Sequence, residues 1–305
     1  MKRARRLPPE HMYPAGVHGV AVRYVNLPSG ERIRVAESGA PDGIPVLLVH
    51  GWGGCLFSFR SALHALGAAN HRAIAVDLHG HGLSSEGAGR GGYDLPAMVA
   101  HLEAIVDALG VDRFVLAGHS MSGRVAFEYA CANPTRVVGL ALLAAAGVAR
   151  LRVPANVVQP VLAAAARVGP RALPRFAVKA IMRAVYGTLR PFSDRDVDEY
   201  WAPSQFPRYA RALHALLRDF DWRVIDPERI AELPMPVVVI EGARDSLLGL
   251  TNVAEFMRRV APKRVVSIPG AGHIVTDEAP AEVDAELLGL VALSAKTVAP
   301  RVAKR

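Results

Sequence analysis

Four short, almost continuously apolar segments place the strongest constraint on the fold of this chain. They are IPVLLVH, HRAIAVDL, RFVLAG and VVGLALLAA, and none of them alternates between apolar and polar residues. Strands that are buried on both faces of a parallel sheet have this composition. Helical segments separate them, as a parallel sheet with crossover helices requires. Two earlier β-rich segments, AVRYVNL and RIRVAE, flank the turn signal PSG and predict an antiparallel hairpin.

The alternation of strands and helices is interrupted once and then resumes, which predicts an insertion within one sheet. Residues 148–233 are helical and punctuated by proline, whereas MPVVVIEG and KRVVSIPG continue the strand pattern afterwards. We expect an α/β fold with a mostly parallel, doubly wound sheet of about eight strands. The sheet domain spans residues 21–147 and 234–295, and a helical cap spans residues 148–233. Residues 1–20 and 296–305 are expected to be basic, flexible terminal segments.

The formal net charge of +8 does not by itself indicate a nucleic-acid partner. Much of the basic excess lies in MKRARR and AKTVAPRVAKR at the two ends, so we expect solvated tails and no nucleic-acid binding. Two cysteines without C-x-x-C spacing indicate neither a disulfide framework nor a metal or redox pair. No apolar segment reaches the roughly 20 residues of a membrane span, and no signal peptide is apparent. We therefore expect a cytoplasmic protein without an integral membrane segment, and no feature indicates its oligomeric state.

The segment VLAGHSMSG contains the best candidate for nucleophilic chemistry. A strand that passes through Gly118 and His119 directly into a helix must turn sharply, which strains Ser120 at the apex and exposes its side chain. This segment resembles the nucleophile elbow G-x-S-x-G of the α/β-hydrolase family, with Ser122 in place of the second glycine. The resemblance implies that Ser120 is the nucleophile. Ser122 lies inside the helix, where its side chain should turn away from the site, and Gly123 relieves crowding.

A serine nucleophile requires a base and a third group that orients the base. The segment IPGAGHIVTDEAP resembles the catalytic-histidine segment of the family and implies that His273 is the base, with Glu278 and Pro280 matching downstream. The segment VVVIEGARDSLLG resembles the acid loop and implies Asp245, although the proline that often follows is absent. The chain order Ser120, Asp245, His273 is the order that the family uses.

Acyl transfer also needs hydrogen-bond donors that stabilise an oxyanion. HGWGG, residues 50–54, resembles the oxyanion segment of the family and implies the backbone N–H of Trp52, while Met121 supplies a second N–H at a helix start. DLHGHGLSS resembles the family's D-x-x-G-x-G-x-S turn. The histidines of these loops accompany no cluster with zinc spacing, so we expect neither a metal nor a cofactor.

The predicted cap is rich in apolar residues, and the family's insertion at this position forms a lid over the serine. Such a lid favours a small hydrophobic, ester-like substrate, with Trp201, Phe206 and Trp222 as candidate contacts. Arg and Lys are interspersed along one apolar segment of the cap, so peripheral contact with a membrane surface is an alternative to simple lid packing.

The resemblance implies a carboxylesterase-like serine hydrolase that cleaves an ester or a lactone. Thioester hydrolysis, acyl transfer, perhydrolysis and C–C bond hydrolysis use the same triad, but the C–C hydrolases usually have a Trp where this chain has Ile274. Epoxide hydrolases and dehalogenases of this fold use an Asp nucleophile, where this chain has Ser120. A binding or accessory protein that uses only the apolar pocket is the alternative from another class.

Overall fold

The computed structural model describes residues 5–86, 92–152 and 173–295. These residues contain one eight-stranded sheet with the order β1-β2-β4-β3-β5-β6-β7-β8. The pairs β1–β2 and β2–β4 are antiparallel and the other five are parallel, which confirms the predicted α/β fold and the hairpin. The strands are β1 (Val20–Asn26), β2 (Arg32–Ser38), β3 (Pro45–Val49), β4 (Arg72–Val76), β5 (Phe114–His119), β6 (Val137–Leu143), β7 (Val237–Gly242) and β8 (Arg264–Ile268).

The α-helices of the described residues cover both faces of this sheet and extend above one edge. None of them is both long enough and apolar enough to cross a membrane. They are α1 (Arg60–Ala68), α2 (Leu95–Leu109), α3 (Met121–Ala132), α4 (Arg175–Val185), α5 (Asp194–Trp201), α6 (Pro207–Asp219), α7 (Pro227–Ala231), α8 (Val253–Arg259), α9 (Val275–Glu278) and α10 (Pro280–Ala295).

The central strands are apolar at every position because helices pack on both sides of them. In β3, Leu47 and Val49 belong to the core that includes α2, α3 and α8, whereas Val46 and Leu48 belong to the core that includes α1 and α10. Side chains of a strand alternate between faces, so a sheet covered on both faces needs an apolar residue at each position.

The helix that leads to the elbow has clear end signals in the sequence. Asp94 caps the start of α2 by accepting a hydrogen bond from the Ala97 amide at 2.9 Å. Gly110 ends the helix with a φ of 65°, a conformation that favours glycine.

Helices α4 to α7 lie between β6 and β7, where the sequence predicts the cap. We call the described residues 144–152 and 173–236 the helical insertion. Helices α5 and α6 coincide with the helical segments SDRDVDEYWAP and RYARALHALLRDF. The helix predicted over ANVVQPVLAAAARVG lies outside the described residues.

The N-terminal segment differs from the flexible tail expected over residues 1–20. Met12 and Tyr13 are 2% and 7% exposed. The Tyr13 amide donates a hydrogen bond of 2.9 Å to a carboxylate oxygen of Glu199 in the helical insertion. The expectation is therefore wrong for this part of the segment, because two apolar side chains and a buried carboxylate hold it against the protein. The first four residues and the basic segment 296–305 lie outside the described residues.

Candidate active site

Ser120 stands at the turn from β5 into α3 in a strained conformation. Its φ of 53° and ψ of −120° lie where side chains other than glycine are rare. Two backbone hydrogen bonds hold this conformation. The Ser120 amide donates to the Leu143 carbonyl and the Ser120 carbonyl accepts from the Ala146 amide, each at 2.8 Å. Strain that is held in this way is typical of functional sites.

Close approach of backbone segments explains the small residues of the elbow. A Cβ at Gly118 would lie 2.3 Å from the Ser122 carbonyl oxygen, and a Cβ at Gly123 would lie 2.3 Å from the Cβ of Ala145. Both distances are shorter than van der Waals contact permits, so only glycine fits at either position without movement of its neighbour.

The structure brings Ser120, His273 and Asp245 into one hydrogen-bonded chain, as the sequence predicts. His273 Nδ1 is 2.8 Å from Asp245 Oδ2, and His273 Nε2 is 2.9 Å from Ser120 Oγ. A carboxylate only accepts hydrogen bonds, so Nδ1 carries the proton and the unprotonated Nε2 accepts from the serine hydroxyl. This is the tautomer that a general base needs.

Asp245 is held as a carboxylate at the end of β7. Burial alone would raise the pKa of Asp245, but hydrogen bonds from His273 and from the Leu247 and Leu248 amides hold the pKa below its ordinary value. The two amides donate to Oδ1 at 2.7 and 2.9 Å. These bonds leave Oδ2 directed at the imidazole.

Backbone contacts fix the loop that carries His273. Its amide donates to the Val185 carbonyl at 2.8 Å, and its carbonyl accepts from His119 Nε2 at 3.0 Å. Glu278 accepts from the Gly272 amide with both carboxylate oxygens, at 3.1 and 3.0 Å. The sequence indicates Glu278 only through the family resemblance, and it gives no signal for the role of His119.

The two residues predicted as oxyanion donors, Trp52 and Met121, lie beside Ser120. Met121 is the first residue of α3, so its amide has no acceptor within the helix. Trp52 lines the same cavity as Ser120, and Gly51 before it approaches so closely that a Cβ there would lie 2.7 Å from the Ser120 Cβ.

Ser122, which replaces the usual glycine, points away from the cavity. Its hydroxyl donates to the His50 carbonyl at 2.5 Å, and the residue is 1% exposed. The hydroxyl therefore connects the first turn of α3 to the start of the oxyanion segment. The sequence alone indicates that a serine fits, but not that it makes this bond.

His81 of the DLHGHG segment contacts the backbone of residues 50–54. His81 Nδ1 donates to the His79 carbonyl at 3.1 Å, and His81 Nε2 accepts from the Gly53 amide at 3.4 Å. Burial lowers the pKa of His81 to about 3, so the ring is neutral and can accept. The described residues contain no group of three or more His, Cys, Asp or Glu side chains arranged for a metal ion.

A cavity of about 240 Å³ opens onto Ser120 and His273 beneath the helical insertion. Its described wall is mostly apolar and includes Leu151, Val178, Met182, Leu213, Leu217 and Leu248. An apolar wall with few polar groups is typical of a binding site for a small organic ligand.

Only one of the three predicted substrate contacts lines this cavity. Trp222 does, whereas Trp201 and Phe206 do not. Trp201 packs with Val178 and Met182 inside the insertion, and its indole N–H donates to the Leu173 carbonyl at 2.8 Å. The expectation of a substrate contact is corrected for both residues, because Trp201 fills the core of the insertion and Phe206 stacks under the guanidinium of its neighbour Arg208.

Two cavity tyrosines connect the insertion to the sheet domain, and the sequence gives no signal for them. The hydroxyls of Tyr186 and Tyr200 each donate to Asp277 Oδ2 at 2.8 Å, and Arg60 Nη1 contacts Asp277 Oδ1 at 2.5 Å. Burial raises the pKa of Asp277, while these three donors act in the opposite direction.

Comparisons with known proteins identify curated relatives of this chain. Over 266 residues the chain is 32% identical to the dihydrolipoyllysine-residue acetyltransferase component of the acetoin cleaving system of Pseudomonas putida, covering 86% of this chain and 67% of that protein. Over 307 residues it is 27% identical to epoxide hydrolase A of Mycobacterium tuberculosis, covering 85% of this chain and 94% of that protein.

Solved structures share the fold. Carboxylesterase CesB of Bacillus subtilis matches with a TM-score of 0.72 and 17% identity, covering 89% of this chain and 91% of that one. At this identity the likeness concerns the fold alone. The model of the alpha/beta hydrolase family matches residues 46–286, a span that contains Ser120, Asp245 and His273. The chain therefore belongs to the alpha/beta hydrolase family.

Proposed function

We propose that this protein is a serine hydrolase that cleaves carboxylic esters or lactones with an apolar acyl or alkyl group through an acyl-enzyme on Ser120. The observation that carries the proposal is the hydrogen-bonded chain Ser120–His273–Asp245, which opens onto an apolar cavity. A serine hydroxyl becomes a competent nucleophile when a correctly oriented imidazole accepts its proton.

In the acylation step, Ser120 Oγ attacks the substrate carbonyl carbon while its proton moves to His273 Nε2. Asp245 holds Nδ1 and stabilises the imidazolium that forms. The carbonyl oxygen becomes an oxyanion that accepts hydrogen bonds from the Trp52 and Met121 amides. The tetrahedral intermediate collapses, the C–O bond to the alcohol breaks, and His273 donates its proton to the departing oxygen.

In the deacylation step, water replaces the alcohol. His273 Nε2 takes a proton from the water as its oxygen attacks the acyl carbon. Collapse of the second tetrahedral intermediate returns the proton to Ser120 Oγ and releases the carboxylic acid. No metal or cofactor is needed to balance either step.

The similarity to an epoxide hydrolase does not carry that activity to this chain. Hydrolases of this fold that open epoxides use a carboxylate nucleophile, whereas the elbow of this chain carries Ser120. Carbonyl chemistry suits a serine because the oxyanion that forms faces backbone amides rather than a ring-opening acid.

Acyl transfer to a thiol is a second candidate. The relative at 32% identity is named as an acetyltransferase component that acts on a dihydrolipoyllysine residue. An acyl-enzyme on Ser120 can be attacked by a thiol in place of water, with His273 acting on the thiol proton. Adding dihydrolipoamide during ester turnover tests this candidate, since transfer yields the acyl thioester instead of the free acid.

The proposal is tested by labelling the purified protein with a fluorophosphonate and locating the adduct by mass spectrometry. We expect one adduct, on Ser120, and no labelling of the Ser120→Ala variant. The Ser122→Ala variant is the matched control, because it removes the neighbouring hydroxyl and leaves the proposed nucleophile in place. It should still be labelled at Ser120.

Hydrolysis of p-nitrophenyl esters of increasing acyl length then measures the length of acyl group that the cavity accepts. We expect kcat/KM to rise with chain length and then fall once the acyl group exceeds the apolar cavity. A folded wild-type protein with neither adduct nor turnover would contradict the proposal. Tight binding of an apolar ligand by that inactive protein would instead support a binding or accessory function.

A further inference from the structure

Helix α6 of the helical insertion makes two side-chain hydrogen bonds with the oxyanion segment of residues 50–54. The Tyr209 hydroxyl donates to the Gly53 carbonyl at 2.8 Å, and the Trp52 indole N–H donates to the Leu213 carbonyl at 3.0 Å. The first bond fixes the peptide group between Gly53 and Gly54, and the second fixes the side chain of Trp52. The Gly54 amide of that peptide donates to the Gly51 carbonyl at 3.0 Å, and the Gly51 carbonyl shares its peptide group with the Trp52 amide. The Trp52 amide is therefore held close to two points of attachment to α6.

The α6 residues in these two bonds are buried, whereas Trp52 and Gly53 are half-buried. Tyr209 is 5% exposed, and Leu213 one turn later is also 5% exposed. Tyr209, Leu213, Trp52 and Gly53 all line the cavity that reaches Ser120. Burial of Tyr209 and Leu213 limits the access of competing water, and a hydrogen bond in such surroundings is stronger than an exposed one.

The same buried face of α6 is also anchored in the main core. Ala212 and Leu216 are fully buried and pack in the cluster that also contains residues of α2 and α3. Arg208 donates to the Gly82 carbonyl at 3.2 Å, which attaches the start of α6 to the loop after β4. Helix α6 is thus a fixed support that contacts the oxyanion segment from the side of the cavity.

We propose that α6 holds the oxyanion hole in place and that Tyr209 is a positioning residue for the Trp52 amide. This inference rests on the proposed function, in which that amide stabilises the oxyanion. Without the Tyr209 hydroxyl, the Gly53 carbonyl loses its donor and the Gly53–Gly54 peptide can rotate. The Gly54 amide then no longer holds the Gly51 carbonyl, which shares its peptide group with the Trp52 amide. An oxyanion donor acts only when it is pre-oriented toward the developing charge, so rotation lowers the rate of acylation more than it lowers substrate binding.

The same helix also contacts the substrate side of the cavity through Leu213 and Leu217. An acyl group that packs against these two residues presses on the helix that holds the oxyanion segment. Acyl length should therefore affect kcat as well as KM, whereas a passive pocket would affect binding alone.

The test is the Tyr209→Phe variant, measured by the second-order rate of fluorophosphonate labelling and by kcat and KM for a p-nitrophenyl ester. We expect the labelling rate and kcat to fall about tenfold while KM changes by less than about twofold, since loss of an oxyanion donor costs about 10²- to 10³-fold and misplacement costs less. The Trp52→Phe variant removes the second bond to α6 and should lower kcat in the same direction.

Tyr93→Phe is the matched control. Tyr93 is buried, and it lies near α6, since a Cβ at Gly80 would meet both the Tyr93 hydroxyl, at 2.9 Å, and the Ala212 Cβ, at 2.5 Å. The Tyr93 hydroxyl has no hydrogen-bond partner among the described residues, and Tyr93 does not line the cavity. Thermal unfolding of all variants shows whether each is folded. The control should label and turn over substrate at the wild-type rate.

The outcomes separate the two proposals. Wild-type protein that is not labelled at Ser120 contradicts the proposed function itself. Wild-type labelling with an unchanged rate in folded Tyr209→Phe overturns the positioning role and leaves the hydrolase proposal intact. Equal losses in Tyr209→Phe and Tyr93→Phe also overturn it, because general loosening around α6 would then explain the result.

Discussion

The hydroxyl of Ser122 gives the most direct test of how the elbow is held together. It donates to the His50 carbonyl at 2.5 Å, and Ser122 and His50 are 1% and 0% exposed. Replacement of Ser122 by Ala keeps the helix but removes the donor from a buried carbonyl. Loss of one partner from a buried hydrogen bond costs about 1 to 3 kcal/mol.

Two substitutions at this position separate the hydrogen bond from the backbone effect. Ser122→Ala should lower the free energy of unfolding by about 1 to 3 kcal/mol, which corresponds to roughly 2 to 6 °C in Tm for a protein of this size. Ser122→Gly restores the glycine of the family pattern but loses the same bond. It should be less stable than the Ala variant by up to about 1 kcal/mol, because glycine is unfavourable in a helix.

The assay is unfolding by urea and by heat, with Thr276→Val as the matched control. Thr276 is also buried, but its hydroxyl has no hydrogen-bond partner among the described residues, so its removal should not destabilise the protein. A Ser122→Ala variant as stable as the wild type would refute the reasoning that this hydroxyl holds the oxyanion segment to α3.

Three further predictions concern activity, acid stability and packing. Asp245→Asn should lower kcat/KM for an ester by about 10³- to 10⁴-fold in a folded protein, because the amide allows the wrong tautomer of the imidazole. Steady-state kinetics measure this loss, and an unchanged kcat/KM would exclude Asp245 as the group that orients His273. Burial holds the pKa of His50 and of His119 at about 4 in the folded protein, while the ordinary value of 6.5 applies to the unfolded chain. The unfolded state therefore binds more protons below pH 6.5, so the free energy of unfolding should fall between pH 6.5 and 4, by up to about 2 kcal/mol for each histidine at pH 5; urea unfolding against pH measures this, and a flat profile would contradict it. Gly123→Ala should cost about 1 to 3 kcal/mol through the clash with the Ala145 Cβ at 2.3 Å, and full stability in thermal unfolding would show that the elbow can relax.

The sheet could be predicted because burial on both faces leaves a direct record in the sequence. Leu47 and Leu48 point to opposite faces of β3 and are both fully buried, so the strand contains no polar position to alternate with. The ends of α2 could be predicted as well, because Asp94 accepts a hydrogen bond at the first turn and Gly110 adopts the positive φ that ends the helix. Each of these signals depends on contacts within a few residues or on one face of one element.

Ser120, His273 and Asp245 could be located because the segments around them resemble motifs of the alpha/beta hydrolase family. Each follows the carboxyl end of a strand, and the carboxyl ends of parallel strands meet at one edge of the sheet. The structure places the three side chains in one hydrogen-bonded chain at this edge, while their chemical roles stay a proposal. The same reasoning fails for Trp201 and Phe206, because an aromatic residue in a helical insertion indicates burial but not the group against which it is buried.

Contacts between the helical insertion and the sheet domain leave no pattern in the sequence around either residue. Tyr209 and Gly53 are 156 positions apart, and Trp52 and Leu213 are 161 positions apart. A tyrosine hydroxyl that bonds a backbone carbonyl leaves no pattern at the carbonyl position, because every residue type offers the same oxygen. Since α6 contributes both the apolar wall of the cavity and the bonds to the oxyanion segment, an exchange of the insertion between relatives would change the preferred substrate and the geometry of the proposed oxyanion hole together. Substrate preference and turnover are therefore coupled through one helix, and a pocket redesigned at Leu213 or Leu217 must preserve the position of Tyr209 to keep the rate.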